Sequence, residues 1–426
     1  MKTLQQDLIA RDYNVNWHPY TQMKTARDII PIVRAQGSYI YDANDKRYID
    51  AVSSWWVTLH GHAHPYIANK LSDQLLNLEQ VIFAGFTHQP AIELSERLLE
   101  LLPENQTKSF YSDNGSTAIE VALKMAIQAN FNKAGKKKKI IAFKNGYHGD
   151  TFGAMSVSGR GIWTDPFGDM LFEVLFIDIP TLDNIEELKL FIDTHAKETI
   201  CFIYEPLVQG AGGMLMHLPE LLSELMKYCK EREIILIQDE IFVGFGRTGR
   251  MFAANHLSES PDIMCFSKGL TGGTLPLGMT TCTEQIYNAF YSEDKTKALF
   301  HGHSFTASPL ACTAALASLD LLLEEKTQES IKRIQDKHHG FIKQLSKHPK
   351  ILDARQCGTI FAMEWKTLQS TSYFSDMHDL LYPFFLERGV LMRPLGNIIY
   401  LVPPYCISDQ DLDYIYSCIL EALELI

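Results

Sequence analysis

The sequence predicts an α/β protein, with a large domain on a mostly parallel sheet followed by a small α+β domain. Three observations carry this. From Lys108 to Lys268, short apolar runs alternate with amphipathic helical stretches, the pattern of strands covered on both faces. Two of these runs stop abruptly at ionisable residues, IILIQDE at Asp239 and Glu240 and PDIMCFSK at Lys268. From residue 351 the order changes to strand, helix, two strands and a final helix.

Bulk properties set outer bounds. With 426 residues and 46% apolar composition, the chain can bury a large core and divide into domains. A net charge of -12 argues against nucleic acid or an anionic membrane as partner, because both demand a basic face. The 8 cysteines are scattered, mostly inside apolar runs and never as C-x-x-C. They read as reduced thiols of a cytoplasmic protein. The start, MKTLQQDLIARDYN, lacks the apolar centre of a signal peptide, and no 18-residue apolar window follows.

Residues 1–60 form an N-terminal segment expected to pack with the small domain. GSYIYDAN and KRYIDAVSS read as short strands, with Asp42-Ala43-Asn44-Asp45 as the turn between them. Ser53-Ser54-Trp55-Trp56 follows. Adjacent side chains on an extended chain point opposite ways, so one tryptophan suits the core and the other a cavity wall.

Residues 61–325 form the large domain. HGHAHP places three histidines close together at residues 60–64, yet no carboxylate or cysteine stands at ligand spacing, so a turn is expected and no metal. Helices follow at 66–79 and 90–102. The strand KSFYSD leads into Asn114-Gly115-Ser116-Thr117 and a helix with Ala118, Val121, Ala122, Met125 and Ala129 on one face. Gly115 and Ser116 thus sit at a helix N-terminus, where free N–H groups and the helix dipole attract phosphate. A bare N-cap is the plainer reading. KIIAFKN ends in GYHGDT, which presents Tyr147 between glycines. CFIYEP ends in Glu205 and runs into a glycine-rich loop, and a helix at 219–232 leads to Asp239. A helix from Pro309 to Glu325 closes the domain.

Residues 326–426 form the small domain, with helices at 376–388 and 409–426 and with Arg393 and Tyr400 on paired strand ends. In a parallel sheet, ligands bind outside the carboxyl ends of the strands. An acid and an amine delivered there suit the two ends of pyridoxal phosphate. The lysine takes the aldehyde carbon and the aspartate pairs with the protonated pyridine nitrogen.

The ordered set resembles the class III (omega) aminotransferases of the fold-type I pyridoxal phosphate superfamily. GSTAIEVALKMA, NGYHGDTFGAMSVSG, EPLVQGAGGM, IQDEIFVGFGRTG and FSKGLTGGTLPLG carry the resemblance over nearly the whole length. WHPYTQM, SSWW and RPLGNIIYLVPPY are similar to one subgroup within it. The resemblance implies a seven-stranded sheet and a homodimer with the site at the subunit interface. It implies a keto acid and an amine donor as small-molecule partners. Lys268, Asp239 and Tyr20 would be catalytic. Gly115, Ser116, Tyr147, Asp239, Ile241 and Lys268 would hold the cofactor, joined by His303 and Ser304 from the partner. Tyr20, Trp55, Tyr147, Asp150, Arg247, Lys268, Gly302, Arg393 and Tyr400 would shape the substrate pocket. Some members carry Pro-Thr where this chain has His303-Ser304; serine keeps the hydroxyl.

Overall fold

In the computed structural model, which describes residues 3–27, 29–345, 348–367 and 376–425, the chain begins with a helix, Leu4–Val15, capped by Thr3. Three antiparallel strands follow: β1 (Ile32–Gln36), β2 (Tyr39–Asp42) and β3 (Arg47–Asp50). The β2–β3 turn falls at Asp42–Asp45. Asp42 Oδ1 accepts from the N–H groups of Asn44 and Lys46, each at 2.9 Å, and Asp45 takes a φ of 63°.

The middle of the chain contributes β4 (Gln106–Ser112), β5 (Lys139–Phe143), β6 (Leu175–Ile177) and β7 (Thr199–Tyr204). A small hairpin comes next, β8 (Val208–Gln209) with β9 (Leu215–Met216). Then come β10 (Ile235–Asp239), β11 (Ile263–Phe266) and β12 (Gly278–Thr283). Seven of these strands form the central sheet in the order β4-β12-β11-β10-β7-β5-β6. β12 runs antiparallel to both neighbours and every other pair is parallel. The wound, mostly parallel sheet is therefore present.

Both faces of this sheet are covered. On one, the helix Gly115–Asn132 presses Ala118, Val121, Ala122, Met125 and Ala129 against Ile140, Ile203 and Ile237. On the other, Ile185–His195 and Pro219–Lys230 pack Leu188, Ile192, Leu222 and Leu225 on Phe143, Phe202 and Leu236. Alternation along β7 and β10 sends successive side chains to opposite cores. Each large aliphatic side chain buried this way contributes roughly 1.5–3 kcal/mol.

The helix Pro309–Leu323 is followed by a second, Glu325–Leu345, which the sequence reading did not delimit. β13 (Ile351–Cys357), β14 (Ile360–Trp365), β15 (Val390–Leu391) and β16 (Ile398–Leu401) complete the strands. β13, β14 and β16 form an antiparallel sheet. β15 instead pairs in parallel with β3, Val390 opposite Ile49, so the N-terminal strands share a sheet with the C-terminal part of the chain. Helices Asp376–Glu387 and Asp409–Leu425 flank them; Met1 and Ile426, the outermost residues of the expected domains, lie outside the described residues. Among the described residues no helix is long and apolar enough to cross a membrane.

Candidate active site

The parallel strands open their C-terminal ends on one edge of the sheet, and the reactive side chains gather there. β10 ends at Asp239, β7 runs into Glu205, and the chain leaving β11 turns at Ser267 into Lys268, which has a φ of 47°. β4 leads to the N-terminus of Gly115–Asn132, where Asn114 and Thr117 form a reciprocal capping box. A cavity of about 220 Å³ lies between these ends, with Gly115, Ser116, Tyr147, Asp239, Ile241 and Lys268 in its walls.

The floor is a hydrogen-bonded carboxylate. Asp239 Oδ2 accepts from His148 Nδ1 at 2.8 Å, and Oδ1 accepts from the Ile241 N–H at 2.9 Å. Lys268 Nζ lies 4.8 Å from the Trp56 ring centre and 5.8 Å from that of Phe242. Burial among these groups lowers the Lys268 pKa from its ordinary value; Asp239 and Glu205 oppose the shift and Arg247 adds to it. Glu205 is buried and its pKa is pushed up to about 7 by that burial. Its two oxygens accept from the Tyr147 N–H at 2.9 Å and the Gly210 N–H at 3.0 Å.

An outer shell extends from the cavity. Asp150 takes the Tyr147 hydroxyl at 3.1 Å on one oxygen and the Tyr20 hydroxyl at 2.5 Å on the other. Burial, then the bond to Tyr20, raises the Tyr147 pKa, so the phenol stays neutral. Tyr20 also meets Trp55 edge-on at 5.7 Å and Trp163 at 5.3 Å. The Arg393 guanidinium stands 5.0 Å from the Trp55 ring centre.

Four expected site residues lie elsewhere, and one is buried behind the wall. Arg247 is enclosed in the protein, where its guanidinium donates to Pro403 O at 2.7 Å and Thr58 O at 3.4 Å. It is fixed by carbonyls the sequence could not place beside it, and its charge bears on Lys268. Tyr400, on the buried strand β16, packs 6.0 Å from Trp56 and so stands one layer behind the cavity. Gly302, His303 and Ser304 belong to a surface loop, where Ser304 O accepts from Gln80 and His303 N–H donates to Thr306. They do not line the cavity of their own chain.

The cavity walls also include Trp56, His148, Glu205 and Phe242, none of them assigned to the site from sequence. Glu205 carries the same signal as Asp239, an acid closing a buried apolar run. Trp56 was legible only as one of a pair. Ser53, Ser54 and Trp56 all have positive φ, and this strained turn sends Trp56 inward and Trp55 outward. Asp50 steadies the turn by accepting from the Ser54 N–H at 2.8 Å.

These walls fit a flat pyridine aldehyde with a phosphate at one end. The helix N-terminus offers N–H groups to the phosphate, and a Cβ on Gly115 would stand only 3.0 Å from Ile241 Cγ2, so the glycine keeps that approach open. Two buried polar atoms in the wall, Trp56 Nε1 and His148 Nε2, have no hydrogen-bond partner among the described residues. The family model described as aminotransferase class-III matches residues 20–423.

The chain is a class-III aminotransferase.

Relatives agree along its whole length. It is 43% identical over 418 residues to the adenosylmethionine-8-amino-7-oxononanoate aminotransferase of Synechococcus elongatus, covering 96% of this chain and 98% of that one. The crystal structure of the enzyme with the same name from Methanocaldococcus jannaschii superposes with a TM-score of 0.94, at 35% identity and over 98% of both chains. An amine transaminase from an uncultivated Pseudomonas species, solved in its PLP-bound form, gives a TM-score of 0.89 at 28% identity over 96% of this chain and 98% of that one. As a class-III aminotransferase, the chain uses pyridoxal phosphate as cofactor.

Proposed function

We propose that the chain transfers an amino group to 8-amino-7-oxononanoate to give 7,8-diaminononanoate, a step of biotin synthesis, with S-adenosylmethionine as donor. The observation that carries this reading is the 43% identity, over almost the full length of both chains, to a relative named for that reaction. The reading is supported by WHPYTQM, SSWW and RPLGNIIYLVPPY, the stretches similar to that subgroup, whose Tyr20, Trp55 and Arg393 are neighbours in space.

Each residue has a physical task. Lys268 would hold the cofactor and move a proton at Nζ; its lowered pKa leaves more of the amine neutral for both jobs. The Asp239 carboxylate, buried and already bonded to His148, would hold the positive charge of the cofactor's ring N–H, in a water-poor site where such a charged bond is strongest. Gly115 and Ser116 would hold the phosphate, and Ile241 and Tyr147, which also line the cavity, would contact the cofactor. Arg393 suits the carboxylate of a substrate, because its planar fork offers two parallel donors. The Tyr20–Asp150–Tyr147 chain orients the mouth. When bound, the cofactor supplies an electron sink for the bond broken at the amine-bearing carbon. One site serving donor and acceptor in turn predicts ping-pong kinetics.

The reading includes a homodimer. Gly302, His303 and Ser304 lie on the surface beside exposed Phe300 and Phe305, which are 66% and 64% accessible, and such a patch fits a second copy bringing His303 and Ser304 to the phosphate. A reducing cytoplasm suits the 8 cysteines, all of which are free thiols.

The test is product analysis. Cofactor-loaded protein is incubated with 8-amino-7-oxononanoate and, separately, S-adenosylmethionine, lysine or a diamine, and 7,8-diaminononanoate is read by mass spectrometry. Product with S-adenosylmethionine is expected. Product with lysine alone moves the assignment to a lysine-dependent form of the same reaction. Turnover of diamines or ω-amino acids, with no diaminononanoate from any donor, sinks the reading in favour of another omega-aminotransferase.

A further inference from the structure

Glu205 has no task in the mechanism above, yet it lines the cavity, is buried and is held by two backbone donors. Facing it is His148, whose Nδ1 is committed to Asp239 and whose Nε2 is buried without a partner among the described residues. Between them sits Gly146. A Cβ built on Gly146 would lie 3.2 Å from His148 Nε2 and 3.8 Å from Glu205 Oε2. Imidazole and carboxyl thus both border the space that a side chain would take.

The neighbours of Glu205 come from every side of this corner. Tyr147 and His148 lie on the turn after β5, Asp239 closes β10, and Lys268 follows β11. His217, after β9, points Nε2 at the Glu205 carbonyl oxygen at 3.3 Å; burial lowers its pKa to about 4, so it is neutral. Arg247 adds a fixed positive charge that acts on Lys268. Burial brings the pKa of the Glu205 carboxyl up to about 7, so its charge can change near neutral pH. Ionised, it favours the protonated state at Lys268; protonated, it does not.

We infer that Glu205 is a positioning residue of the reaction: it sets the charge facing Lys268 and locks the Tyr147 backbone, and the bare Gly146 keeps it in the field of His148. The inference rests on the cofactor's place between Asp239 and Lys268 and is independent of which substrates the enzyme takes.

The experiment is a pH titration of the visible absorption band of the cofactor-loaded protein, which reports protonation where the cofactor joins Lys268. Glu205→Gln removes the negative charge at nearly constant size, and its midpoint is expected to fall by about half a pH unit or more. Glu205→Asp keeps the charge and should retain the wild-type midpoint. Gly146→Ala adds a methyl group that would stand 3.2 Å from His148 Nε2 and 3.3 Å from Phe143 O, so the imidazole must shift slightly while Glu205 keeps its side chain. It weakens the hold of His148 on the ionised carboxyl, so its midpoint should also fall, by less than in Glu205→Gln. If Glu205→Gln fails to fold, the Gly146→Ala titration decides alone. An unchanged midpoint in the variants, with a normal band, overturns the inference and leaves the cofactor site intact. A wild-type protein with no such band overturns the cofactor site and this inference together.

Discussion

The Tyr20 hydroxyl donates to Asp150 at 2.5 Å, which joins residues 130 positions apart in the chain and ties the N-terminal segment to the turn that carries Tyr147. The same carboxylate takes the Tyr147 hydroxyl on its other oxygen. The bond lies at the mouth rather than in the core, so its loss should be felt by substrate before it is felt by the fold. Tyr20→Phe is expected to raise KM several-fold with a melting temperature close to wild type. Steady-state kinetics with each substrate varied in turn, beside a thermal melt, checks this.

Gly149 is the second point of leverage. Its φ is 129°, and a Cβ there would fall on the Ser116 hydroxyl, 2.0 Å from Oγ. That hydroxyl accepts the Asp150 N–H at 3.1 Å, so the two loops are in contact. Gly149→Ala adds backbone strain of about 1–3 kcal/mol and displaces Ser116. Cofactor affinity should fall by roughly tenfold or more, while secondary structure by circular dichroism persists. Fluorescence titration of the apoprotein with pyridoxal phosphate measures it.

Arg247 separates a structural role from a substrate role. Replacing a buried guanidinium that serves two carbonyls, as in Arg247→Met, should cost about 3 kcal/mol in unfolding free energy. Equilibrium denaturation reads the loss. A stable variant whose only defect is substrate KM would instead return Arg247 to the pocket.

Glu240 predicts a pH effect on stability. It is buried, accepts the Ala253 and Ala254 N–H groups and the Gln238 amide, and burial pushes its pKa up to about 7. The folded state therefore keeps this proton after the unfolded chain, near its ordinary value, has lost it. Stability from this group is complete below that ordinary value and is lost as pH rises towards 7. Glu240→Gln should decline by about 2–3 kcal/mol less than wild type between pH 4.5 and 7.5, as read from urea midpoints.

Much of this site was legible because strand chemistry is local. An apolar run that ends in Asp239 or Lys268 announces a buried strand and a charge at its mouth, and the helix after Asn114 announces its own N-terminus. What escaped depends on direction rather than type. Trp55 and Trp56 are the same residue twice, and only the positive φ values around them decide which faces Lys268. Arg247, expected in the substrate pocket, sits in a glycine-rich loop, and carbonyls from Thr58 and Pro403, distant in sequence, enclose it. His148 was legible as a ring between glycines. Its bond to Asp239 needs the register of β5 beside β7 and β10, which no local pattern contains.

The pairing of β3 with β15 has a consequence for biosynthesis. Residues 47–50 leave the ribosome long before their parallel partner, Val390–Leu391. The turn bearing both tryptophans hangs from Asp50 and is latched by Ser53 to Val402 O at 2.7 Å. The wall opposite Lys268 can therefore close only once the stretch from Val390 to Val402 has emerged, and a nascent chain holds the amine-bearing side of the cavity open until then.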